Sequence, residues 1–121
     1  MAHTVAVGCV DNRLPGKVLA KLNEIAGEGE WYPLTTVGGV LDVAFILKQL
    51  VKINAISRIE KVVLMIHEDC RGYQVLGKDA QVRDLISLAR SIQFGNPAIK
   101  VEMYNVHLDG EFEVLDRRLI D

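Results

Sequence analysis

The chain has 121 residues, 50% hydrophobic and 25% charged, a composition that gives one globular domain with a buried core and excludes a disordered segment. Its formal charge of -2 is spread without acidic or basic blocks. That argues against nucleic acid or an anionic membrane as the main partner and leaves small molecules open. The apolar stretches 40–53 and 61–66 are interrupted by Asp42, Lys48 and Lys52 or are too short for a bilayer, and no signal-like pattern opens the chain, so a cytoplasmic protein is expected. In a reducing cytosol, two cysteines with a histidine nearby read as metal-binding or catalytic before they read as a disulfide.

Thr4 to Cys9 is an apolar run too short for a helix and predicts the first strand. From Pro15, residues Val18, Leu19, Leu22, Ile25 and Ala26 recur at helical spacing until Gly27-Glu28-Gly29. Trp31 to Val37 is β-prone, and Pro33 within it predicts an edge strand before the Gly38-Gly39 pair. Residues 41–56 are apolar on most faces, which predicts a helix covered on two sides. Lys61 to Ile66 is a continuous apolar run of the kind buried on both faces of a parallel sheet, hence a central strand. Val82, Leu85, Ile86, Leu88, Ala89 and Ile92 form the stripe of a third helix that ends near Gly95-Asn96-Pro97. Ile99 to Val106 is a fourth strand, and the Asp109-Gly110 turn returns Phe112 to Leu115 as a short antiparallel fifth.

This alternation predicts a single α/β domain over residues 1–121: a mostly parallel four-stranded sheet with the antiparallel fifth strand, and helices on both faces. Strand order 2-1-3-4 is the hypothesis that matters. With strands one and three adjacent, their carboxyl ends open into the crevice at the topological switch point, where such sheets bind ligands. Two stretches lie at those ends. Val7-Gly8-Cys9-Val10-Asp11-Asn12-Arg13 presents a thiol, a carboxylate and a guanidinium at alternate positions, and His67-Glu68-Asp69-Cys70 follows the other apolar run. Together they offer a divided metal site.

Cys9-Val10-Asp11-Asn12-Arg13 resembles the Cys-x-Asp-x-Arg motif of the β-class carbonic anhydrases, and His67-Glu68-Asp69-Cys70 is similar to their His-x-x-Cys. Thr36-Val37-Gly38-Gly39 resembles the Asn-Ala-Gly turn between the two, and Met103 through Gly110 looks like the family's final hairpin. The resemblance implies Zn2+ held by Cys9, His67 and Cys70, with Asp11 able to close the tetrahedron. It also implies reversible hydration of carbon dioxide to bicarbonate by a zinc-bound hydroxide, with Asp11 orienting that hydroxide and Arg13 holding Asp11 through a charge-assisted bond. Two thiolates offset the charge of the ion, so activity should improve toward alkaline pH. Gly38 and Gly39, opening a helix, are candidate substrate contacts through their N–H groups. The family pocket is completed across a homodimer or higher homo-oligomer, for which helix 41–56 is the candidate contact.

The departures are equally specific. Arg71 intervenes before Gly72, where the family places a glycine directly after its second cysteine; Thr35-Thr36 replaces Arg-Asn; and Asn12 stands between Asp11 and Arg13 in place of a serine. Only eight residues precede Cys9, so the family's N-terminal arm is expected to be absent, as is much of the helical segment after His-x-x-Cys. Each residue also has a plainer reading. Cys9 can be a small buried hydrophobe, and Asp11 with Arg13 a structural ion pair. His3 and His107 read as surface or hairpin residues, and Glu68 and Asp69 as loop charges, with Asp69 able to support the histidine ring. Tyr73 and Arg71 either shape an entrance or cover it. Three functions stay open: a zinc lyase, or hydrolase of a linear sulfur analogue such as carbonyl sulfide; a catalytically silent zinc protein; and a metal-free Cys9–Cys70 redox pair.

Overall fold

The computed structural model describes residues 3–10, 15–116 and 118. In chain order its elements are β1 (Thr4–Cys9), α1 (Pro15–Ala26), β2 (Trp31–Thr36), α2 (Val43–Ile56), β3 (Lys61–His67), a 3-10 turn (Arg71–Tyr73), α3 (Lys78–Gly95), β4 (Lys100–Val106) and β5 (Phe112–Val114). The strands form one sheet in the order β2-β1-β3-β4-β5, as expected. The first four are parallel, and β5 runs antiparallel to β4. β1 pairs with β3 from Thr4 opposite Lys61 to Val7 opposite Leu64, and β2 carries Thr36 opposite Cys9. The carboxyl ends of β1 and β3 therefore reach the same rim, on either side of the switch point.

Burial explains why these runs became these strands. Val62 to Ile66 are all buried, so the central strand has no solvent face and reads as unbroken hydrophobicity. Pro33 sits in β2, at the edge of the sheet, where a missing N–H is tolerated. The period of two sends Val5, Val7, Leu64, Ile66 and Met103 to one face, under α2 and α3, in a large core that also holds Leu85 and Leu88. Ala6, Val63, Met65, Tyr104 and Val106 point to the other face, with Leu22 of α1 against them. The hairpin turn closes with His107 N–H on the Glu111 carbonyl at 2.9 Å, and Gly110 takes φ +92° in it.

α2 departs from expectation in two ways. It begins at Val43, because the Asp42 side chain accepts the Phe45 N–H at 3.1 Å and caps the helix there. It is also covered on one side only: Ile46 and Leu50 are buried, while Phe45, Val51 and Ile56 face outward at 43%, 72% and 79% exposure. The expected second layer is not supplied by this chain's described residues. No helix among them is long and apolar enough to cross a membrane.

Candidate metal centre

Cys9 is the last residue of β1 and His67 the last of β3. Cys70 follows two loop residues later, at the start of the 3-10 turn. The loop reverses sharply because Asp69 takes a left-handed conformation (φ +51°), which an aspartate tolerates better than most side chains. That reversal turns Cys70 back toward Cys9. The two sulfurs lie 3.7 Å apart, buried and not joined in a disulfide, and the ligand atoms of Cys9, His67 and Cys70 are all within 4.8 Å of one another.

The spacing fits a tetrahedral zinc ion, whose bonds of about 2.3 Å to sulfur put two thiolates about 3.8 Å apart. The imidazole is oriented for the same task. His67 Nδ1 lies 2.9 Å from the Glu68 carbonyl, which can only accept, so the proton sits on Nδ1 and Nε2 keeps its lone pair for a ligand. Burial, then the neighbouring Cys9, pushes the Cys70 thiol above its ordinary pKa, while the backbone N–H groups of Tyr73 and Gly72 draw it down. A cation at this point would oppose both the burial and the Cys9 contribution by stabilising the thiolate. Thiolate and imidazole donors at this distance form a zinc-competent set.

Three glycines let separate segments close around Cys9. A Cβ on Gly39 would lie 3.1 Å from the Met65 carbonyl oxygen and 3.4 Å from Cys9 N, and one on Gly72 would lie 2.8 Å from both Cα and N of Gly38. The Gly38-Gly39 turn therefore packs behind the metal centre at backbone distance. Gly39 N–H bonds the Thr36 carbonyl at 3.3 Å, and the Thr36 hydroxyl donates to the Gly39 carbonyl at 2.7 Å. Tyr73 is buried over the same turn and donates to Asp84 at 2.7 Å, so it covers the site, whereas Arg71 points outward. Burial and the Asp84 carboxylate hold the Tyr73 hydroxyl far above its ordinary pKa. Asp11 and Arg13 lie outside the described residues.

Two features were not legible in the sequence. Glu68 is no simple loop charge: its carboxylate pairs with His107 Nδ1, while His107 Nε2 meets Glu113 at 2.9 Å. Hydrogen bonds to Glu68, then Glu113, raise the pKa of His107. The pairing links the loop bearing Cys70 to the β4–β5 hairpin, and no local sequence signal announces it, because the two residues meet only through the pairing of β3 with β4. The second feature is a cavity of about 220 Å³ on the α1 side of the sheet, bordered by Cys9 and His67.

No family model matches the chain, and no curated protein matches it. Solved structures do. The β-carbonic anhydrase CafD of Aspergillus fumigatus superposes with a TM-score of 0.66 at 10% identity, over 96% of this chain and 90% of that one. CafA of the same fungus gives 0.64 at 17% identity, over 95% and 76%. One of two tetrameric β-carbonic anhydrases of Sordaria macrospora gives 0.61 at 13% identity, over 94% and 80%. The chain carries the β-carbonic anhydrase fold. Identity this low establishes the fold alone; on that fold, a Cys-His-Cys cluster able to hold a metal stands where β1 and β3 end.

Proposed function

We propose that the chain is a zinc-dependent lyase that reversibly hydrates carbon dioxide to bicarbonate. The observation that carries this reading is the convergence of Cys9, His67 and Cys70 at the switch point of a β-carbonic anhydrase fold. Zinc held there would serve as a Lewis acid that makes water nucleophilic near neutral pH. The chain's own residues have the remaining tasks. The Glu68 carbonyl fixes the imidazole tautomer, and the backbone N–H groups near Cys70 help hold its sulfur as a thiolate. Asp11 is assigned to orient the attacking water, and Arg13 to hold Asp11 ionised and in direction. Gly38 and Gly39 are assigned to hold the backbone of Cys9 beside the substrate; the Gly39 N–H is taken by the Thr36 carbonyl.

The working assembly in this reading is a cytoplasmic homodimer or higher homo-oligomer. The exposed apolar side chains Phe45, Val51 and Ile56 of α2 support it, as does the tetrameric state of the Sordaria proteins that share the fold. Carbonyl sulfide belongs beside carbon dioxide in the assay, because the same attack serves both and the adjoining cavity is largely apolar. Elemental mass spectrometry on protein purified under reducing conditions without chelator should give about one zinc per chain. Stopped-flow hydration should then rise toward alkaline pH. Asp11→Asn and Arg13→Ala should keep zinc and lower turnover by about 10²- to 10⁴-fold. A chain that neither contains zinc nor takes it up on titration would overturn the reading. Zinc without turnover of either substrate would reassign the metal to a structural role.

A further inference from the structure

We infer that the cavity on the α1 face is a binding site for an uncharged organic molecule about the size of a single ring, seated against the Cys9–His67 edge of the metal centre. The binding rests on the cavity alone, and the inference rests on the proposed function only in taking the adjoining Cys9–His67 edge as part of a zinc centre. Hydration of carbon dioxide needs room for three atoms. The space present is about 220 Å³, and an apolar cavity of about 150 Å³ already takes up benzene.

The lining decides the class of ligand. Ala6 and Gly8 of β1, with Met65 of β3, form the floor, and Leu22 of α1 and Trp31 of β2 stand beside them. Among the described lining residues there is no carboxylate, ammonium or guanidinium. Of the two histidines there, His107 has its ring nitrogens on Glu68 and Glu113, and His67 has its Nδ1 on the Glu68 carbonyl. Among these described residues a charged ligand would give up its hydration for no new partner, whereas a neutral apolar one loses nothing. The described lining offers bicarbonate no charged partner. Val10, Leu19 and Leu108, at 57%, 50% and 47% exposure, converge on the opening, and an apolar mouth is what a neutral ligand needs to enter. On the hairpin side, Lys17 of α1 donates to the Asp109 carbonyl at 2.8 Å and ties that edge down.

The chain supplies its own reporter, because Trp31 is the one tryptophan and its ring lines the cavity. Bromobenzene, whose heavy atom quenches tryptophan fluorescence on contact, is titrated into the full chain as purified, with sodium bromide and sodium bicarbonate as charged comparators. Saturable quenching is expected with a dissociation constant of about 0.1 to 1 mM, the range open to so small a ligand, and with no saturation by either salt. Ala6→Leu fills the floor and should weaken binding at least tenfold; Leu19→Glu, at the half-exposed mouth, should weaken it about threefold or more without disturbing the fold. Zinc content should stay the same in both. If Ala6→Leu does not fold, Leu19→Glu decides. Quenching that never saturates, or saturable quenching that Leu19→Glu leaves unchanged, overturns the inference. Zinc-loaded protein that hydrates carbon dioxide and ignores bromobenzene removes the inference and keeps the proposed function. Zinc-free, inactive protein that binds it does the reverse.

Discussion

The two faces of the sheet share the same strands and differ in what lies on them. Under α2 and α3 the fit is solid: Val5, Val7, Leu64, Leu85 and Leu88 have no exposed surface. On the other side of the sheet α1, of 12 residues, is the one helix among the described residues, and a cavity remains beside Ala6 and Gly8. Strand alternation assigns the large side chains of β1 to the first face and the small ones to the second. The difference teaches that one face of this sheet carries stability and the other carries space, with Cys9 and His67 on the boundary.

The largest effect expected at that boundary is loss of a ligand. Cys70→Ser should lower zinc affinity by more than about 100-fold, because removing even a supporting partner of a ligand costs 10- to 100-fold. Competition with a chromophoric chelator would measure it, and unchanged affinity would move the metal away from this cluster. Next come the faces themselves. Leu85→Ala on the solid face should cost about 3–5 kcal/mol in urea unfolding, and Leu22→Ala on the hollow face about 2 kcal/mol, since its surroundings already lack part of their contacts. Equal costs would mean that the two faces are packed alike.

The smallest effect concerns the hairpin that rims the hollow face. The pKa of His107 is raised, so its contribution to stability is complete below the ordinary histidine value and fades as pH rises through the raised one. The pKa of Glu113 is lowered by Asn105, then by His107, so its contribution is present above the ordinary carboxylate value and lost as pH falls through the lowered one. The facing groups are Glu68 on the metal loop, Asn105 on β4 and Lys78, which donates to Asn105 at 2.9 Å. Melting temperature should therefore be slightly higher between weakly acidic and neutral pH than on either side. The gain should shrink in high salt, because these groups are exposed. His107→Gln should flatten the alkaline limb; an unchanged limb would remove His107 as its source.

What could be read in the chain beforehand was whatever depends on local periodicity. Val62 to Ile66 announced a strand with no wet side, Pro33 an edge, and the switch-point rule then brought Cys9 to His67 and Cys70. What could not be read depends on register and on the sum of side-chain volumes. His107 and Glu68 are 39 residues apart and meet only because β3 and β4 end together. The cavity follows from small residues meeting a sparsely covered face, which no window of sequence contains. The apolar character of α2 predicts cover on two sides; the described residues supply one, and a residue pattern cannot say what, if anything, covers the other.

The contact of Gly72 with Gly38 has a mechanical consequence. With 2.8 Å separating a Cβ at position 72 from the backbone of position 38, the loop bearing Cys70 and the turn behind Cys9 form one hinge-free joint. A side chain at 72 would have to lift that turn, and Gly39, against the backbone of Cys9, would carry the displacement to the first sulfur. The separation of the two thiols is thus gauged by a residue that has no side chain and offers no metal-binding group. A chain that exchanged this glycine for alanine could keep every metal-binding group and still lose the geometry that makes them a site.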